Sequence, residues 1–126
     1  YKRQIDSYVF NGKSNNKKEI LKRFKKENCI VIATSAFGMG IDKPDVHLVI
    51  HFEGTYNLEM YYQESGRAGR DSESSKAVLF YCDRDIERMK YFAKNDTTRE
   101  KLKQAIEYMQ MTNNKKRREF LLNSIV

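Results

Sequence analysis

Cys29-Ile30-Val31-Ile32-Ala33-Thr34 is a near-continuous apolar run, and Ser35-Ala36-Phe37-Gly38-Met39-Gly40 follows it directly. Such a run predicts a strand buried on both faces of a parallel sheet, and therefore an α/β fold. In open α/β sheets ligands bind beyond the carboxyl ends of the strands. Thr34 and Ser35 bring hydroxyls and N–H groups to that edge, while Gly38 and Gly40 let a ligand come close to the backbone. Gly38-Met39-Gly40 starts like a dinucleotide fingerprint, but the third glycine would fall at Lys43 and no helix starts there.

Upstream, Ile20, Leu21 and Phe24 recur at helical spacing and predict a helix over about 17–26, with Asn16 and Glu19 in capping-box positions. Its lysines read as a solvated face. Before it, 5–10 (IDSYVF) reads as a strand stopped by Asn11-Gly12. Gly12-Lys13-Ser14 mimics the end of a phosphate-binding loop. However, the first glycine of G-x-x-x-x-G-K-S is here Ser7, and the intervening residues finish the strand, so that reading is rejected.

Downstream, Asp42 precedes Lys43-Pro44, a turn, and 46–52 (VHLVIHF) reads as a second apolar strand. His47 and His51 share one face of that strand. No carboxylate or cysteine completes a metal site, so both read as structural. Asn57 can cap a helix carrying Leu58, Tyr61, Tyr62 and Ser65 into 61–71, YYQESGRAGRD. Arg67 and Arg70 each follow a glycine, and a planar guanidinium grips phosphate oxygens in a way an ammonium cannot. On a helix entering the turn, Gln63 would share a face with Arg67. The alternative is a solvated helix end with two ordinary surface arginines. After a strand at 76–82 (KAVLFYC) the chain turns helical. Ile86, Met89 and Ala93 line one helix, and Thr97 with Glu100 form a capping box for a second that carries Leu102, Ala105, Ile106 and Met109. A short third helix holds Phe120, Leu121, Leu122 and Ile125.

The 126 residues amount to one domain or a piece of a larger protein. Lys+Arg 24 against Asp+Glu 17 gives 24 − 17 = +7, a balance that suits a polyanionic partner as well as a merely soluble basic surface. Cys29 and Cys82 sit in apolar runs and read as small buried hydrophobes in a reducing, intracellular compartment. No apolar run reaches the length of a membrane span. The first residue is Tyr1, not Met, and a fragment is expected.

Taken together, 31–46 (VIATSAFGMGIDKPDV) and 61–71 (YYQESGRAGRD) resemble motifs V and VI of superfamily 2 helicases, specifically the RecQ family. The resemblance implies an α/β, RecA-like lobe of the P-loop NTPase type, with a mostly parallel sheet between helices and a C-terminal helical tail. Residues 1–94 would be the second motor lobe of an ATP-dependent 3′-to-5′ DNA helicase, and 95–126 the helical start of a zinc-binding subdomain. Arg67 and Arg70 match arginines that reach ATP phosphates, Gln63 a polar coupling residue, and Asp42, with Gly40 beside it, the acid near the nucleotide. Thr34, Ser35 and Gly38 match positions near the tracking strand's phosphates, and Gly12 a turn that faces nucleic acid.

The implied cofactor is ATP with Mg, both held mainly by a first RecA-like lobe. The implied partners are that lobe and DNA, as single strands and duplex junctions, with no membrane. The setting is the nucleus in a eukaryote or the cytoplasm in a bacterium. Three positions depart from the family pattern. Phe10 stands in place of a histidine, Ser72 in place of the glycine after GRAGRD, and Lys116 in place of the first zinc-ligand cysteine, so no zinc is expected. A non-catalytic nucleic-acid-binding or adaptor domain with the same fold is the alternative. An RNA helicase is a third.

Overall fold

The structure is a computed structural model that describes residues 5–34, 37 and 42–125. It comprises two compact units, Tyr1–Lys43 and Pro44–Val126.

In the first unit, β1 (Ser7–Phe10), α1 (Lys17–Lys26) and β2 (Ile30–Ala33) follow in order. The strands pair in parallel, from Ser7 opposite Ile30 to Phe10 opposite Ala33. Ile20 and Phe10 are buried. The Phe37 ring meets Phe10 edge-on at 4.9 Å and Phe24 at 5.3 Å. The double burial expected of the 29–34 run is not found: Ile30 and Ile32 are 50% and 60% exposed, like Val9 at 58%. Side chains alternate across a strand, and among the described residues this unit has one α-helix to cover one face of the pair, so Val9, Ile30 and Ile32 fall together on the other.

The expected capping box at α1 is also absent. Asn16 has φ −108° and ψ 32°, away from the extended geometry of a side-chain cap, and its side chain makes no capping bond. Glu19 instead pairs with Arg23 at 3.1 Å, one turn along.

The second unit runs β3 (Leu48–His51), α2 (Leu58–Ser65), β4 (Lys76–Leu79), α3 (Asp83–Phe92), α4 (Asp96–Gln110) and α5 (Asn114–Ile125). β3 and β4 are again parallel, Leu48 opposite Lys76 through His51 opposite Leu79. Leu58, Tyr61, Met89, Ala93, Leu102, Ala105, Tyr108 and Met109 form one buried cluster, with Leu79, Ile106, Phe120 and Leu121 packed against it. Gly54 passes beside it at φ +78°, where a Cβ would lie 2.7 Å from Met89 Cε.

Two further expectations are corrected in this unit. α4 is capped by Asn95, whose Oδ1 accepts from Thr98 N at 2.8 Å, so Thr97 lies inside the first turn and caps nothing. Neither cysteine is buried. Cys29 is intermediate and Cys82 exposed, because β4 stops at Leu79 and Cys82 becomes the N-cap of α3, its N–H donating to Asp85 Oδ2 at 2.9 Å.

Parallel strands between helices, followed by a helical run, make this the α/β architecture expected from the sequence.

Candidate nucleotide and nucleic-acid sites

In the first unit, parallel pairing in register brings the residues that follow β1 and β2 to one carboxyl edge. Gly12 lies there in an exposed turn, and a Cβ added to it would meet no atom within 4 Å. Thr34 is exposed directly after β2; its N–H donates to Phe10 O at 3.2 Å and its carbonyl accepts from Phe37 N at 3.0 Å. Ser35, Gly38 and Gly40 lie outside the described residues. Asp42 is exposed.

The geometry at Gly12-Lys13-Ser14 does not suit a phosphate cradle. Lys13 N donates to Asn11 Oδ1 at 2.9 Å, Ser14 N to Asn11 O at 3.1 Å, and Asn11 N to Ser14 Oγ at 2.9 Å. A cradle needs N–H groups pointing outward, and here these three close the turn on itself.

In the second unit, Asn57 caps α2 as expected, accepting from Glu59 N at 2.9 Å. The helix stops at Ser65 with Gly66 as C-cap, so Gln63 is on the helix while Arg67 stands just beyond it. The chain then tightens, with Arg67 N donating to Glu64 O at 3.3 Å and Ala68 N to Ser65 O at 3.2 Å. At Gly69 the backbone swings to φ +81°, and an added Cβ would run into Ser75 Oγ, so glycine is required by the turn as much as by any ligand. Gln63 and Arg70 are exposed, and Arg67 is half-buried.

Hydrogen bonds among the described residues fasten this turn and the end of α2 to the start and end of β3. Gly69 N donates to Val46 O at 2.9 Å. His47 Nε2 donates to Asp71 Oδ2 at 2.8 Å, and His51 Nε2 to Glu64 Oε2 at 2.7 Å. The His47 bond is the largest cause holding the Asp71 carboxyl below its ordinary range, with the Glu73 N–H adding to it. Beneath the helix, burial, then the bond to Tyr108, push the Tyr61 hydroxyl well above its ordinary value, so it stays a neutral part of the core. Each histidine is thus held by a carboxylate where the sequence reading expected none. Their carboxylate partners, 24 and 13 residues away in sequence, were not visible to a reading of local spacing.

Chemically, two guanidinium groups on a turn with anchored ends can receive phosphate oxygens. Among the described residues no group of three or more His, Cys, Asp or Glu could hold a metal ion, and no helix is long and apolar enough to cross a membrane.

Comparison with known proteins gives this arrangement its context. The chain is 56% identical over 70 residues to the RecQ-like DNA helicase BLM of Xenopus laevis, which covers 55% of the chain and 5% of that protein. It is 60% identical over 57 residues to a protein of Acanthamoeba polyphaga mimivirus provisionally named an ATP-dependent RNA helicase, covering 45% of the chain and 10% of that protein. The chain thus spans a small part of these relatives. The crystal structure of the E. coli DEAD-box protein SrmB, bound to regulator of ribonuclease activity A, shares the fold with a TM-score of 0.53 at 20% identity, over 81% of this chain and 70% of that one. Residues 2–72, more than half of the 126, match the helicase conserved C-terminal domain. The chain belongs to that helicase C-terminal domain family, with the RecQ-type helicases as its relatives.

Proposed function

We propose that this chain is the C-terminal motor lobe of an ATP-dependent, 3′-to-5′ DNA helicase of the RecQ type, working on single strands and duplex junctions. The observation that carries the reading is the arginine turn, anchored to β3 in a chain of helicase family. Residues 1–94 form the lobe, and 95–126 begin a zinc-binding subdomain that has lost its metal, because Lys116, a cation, cannot replace a thiolate ligand.

In this reading Arg67 and Arg70 contact the phosphates of ATP bound on a preceding RecA-like lobe, and Gln63 couples that contact to the nucleic-acid side. Asp42 and Gly40 are assigned to the nucleotide by the family motif they match. Gly12, Thr34, Ser35 and Gly38 let the phosphates of the tracking strand approach the carboxyl edge of β1 and β2. ATP, with its Mg, supplies the free energy of phosphoryl transfer. This chain's residues orient the phosphates and neutralise charge that grows in the transition state. The Gly12-Lys13-Ser14 turn, with the Lys13 and Ser14 N–H groups spent internally, agrees with a lobe that leaves nucleotide binding to its neighbour. The place of action follows the substrate: the nucleus in a eukaryote, where repair and recombination use such motors, or the bacterial cytoplasm.

The test is strand separation by the full-length protein with ATP, on 3′-tailed DNA, 5′-tailed DNA and a matched RNA duplex. Unwinding of the 3′-tailed DNA alone supports the proposal. Preference for the RNA substrate assigns an RNA motor, and nucleic-acid binding without ATP-driven separation assigns an adaptor.

A further inference from the structure

The arginine turn contains two glycines and has little stiffness of its own, yet a phosphate contact needs its guanidinium groups placed to within about 0.5 Å. The stiffness comes from β3. His47, directly before the strand, holds Asp71, the residue after Arg70, at 2.8 Å. His51, the last residue of the strand, holds Glu64, three residues before Arg67, at 2.7 Å. Arg67 N in turn donates to Glu64 O, and Gly69 N to Val46 O, so both arginines lie between fixed points. The His51 ring has 13% of its side chain exposed and lies 4.9 Å from the Tyr61 ring. Its Nδ1 is buried with no hydrogen-bond partner among the described residues, which leaves Nε2 as the ring's polar link and Glu64 as what it grips. An unsatisfied buried nitrogen calls for an explanation, and the bond that the other nitrogen makes to Glu64 offers one.

We propose that His47 and His51 are positioning residues that set the aim of Arg67 and Arg70 through Asp71 and Glu64. This rests on the reading of those arginines as phosphate contacts. Neither histidine touches nucleotide; each fixes one end of the segment that does. Misplacement by about 1 Å can cost on the order of 10²-fold in rate, so partial loosening at one end should cost about tenfold.

The experiment is DNA-stimulated ATP turnover by the full-length protein carrying His47→Ala, His51→Ala, His47→Gln or His51→Gln, with thermal melting of each. The glutamine amide reaches about as far as Nε2 and can donate to the same carboxylate oxygen. Expected are a roughly tenfold lower kcat for each alanine variant with KM for ATP within about twofold, and recovery of most of the rate by glutamine. Glu64→Ala and Asp71→Ala, each made alone and combined with its histidine change, should give the same loss without adding to it; these decide the matter if a histidine-to-alanine variant does not fold. Folded variants that keep kcat within about twofold of wild type, or glutamine variants no faster than alanine, overturn the positioning role alone. A wild-type protein with no DNA-stimulated turnover overturns the motor reading and this one with it.

Discussion

Ser72 has φ +65°, in the left-handed region that a side chain disfavours by about 1–2 kcal/mol. The glycine expected there by family resemblance would be relaxed, so this departure carries a cost that sequence alone did not price. After allowing for the extra freedom glycine gains when unfolded, Ser72→Gly should raise stability by about 0.5–1 kcal/mol, read as a higher urea midpoint. An unchanged or lower midpoint would show the strain is absent. Asp85 offers a second test. The Cys82 N–H, then the Cys82 side chain, hold its carboxyl below the ordinary range. A folded value below the unfolded one means that Asp85 contributes stability above about pH 4, and that this is lost as pH falls through the folded value. Melting temperature should therefore drop more between about pH 5 and 2 in the wild type than in Asp85→Asn; equal slopes would remove the role given to this carboxylate.

At the scale of elements, Asn95, not Thr97, starts α4. Asn95→Ala should cost about 1 kcal/mol and Thr97→Ala less than about 0.5, measured by chemical denaturation, and the reverse order would restore the box read from sequence. Periodicity made Leu102, Ala105 and Met109 legible as a buried face, because a helix repeats every 3.6 residues whatever it packs against. Caps were less legible: Asn16 and Asn95 look alike in sequence, and backbone angles decide that Asn95 caps and Asn16 does not. The 29–34 run revealed a strand but not its cover, since hydrophobicity does not say how many helices a unit supplies. At the candidate site, the arginines and the cap at Asn57 were readable, being local. The grip of His47 on Asp71 and of His51 on Glu64 was not, because pairs so far apart in sequence meet only once β3 and α2 are folded.

At the scale of the whole molecule, the second unit explains why a glycine-rich turn can be a defined object. Leu58 and Tyr61 root α2 in a cluster completed by Met89 of α3 and by Leu102, Ala105, Tyr108 and Met109 of α4, and the same helix delivers Gln63 and the turn after it. The helical run after β4 thus supports the arginine segment as well as following it in sequence. Action of this segment on phosphate is measured directly by the DNA-stimulated kcat of the full-length protein with Arg67→Ala, Arg70→Ala and the two lysine counterparts, folding being checked by circular dichroism. Groups that act on charge developing in the transition state should depress kcat by about 10³–10⁵ when removed while leaving nucleotide affinity nearly unchanged, and lysine should recover little of the loss. Alanine variants that fold and keep near-wild-type turnover would contradict the account and leave the turn a structural feature of the lobe.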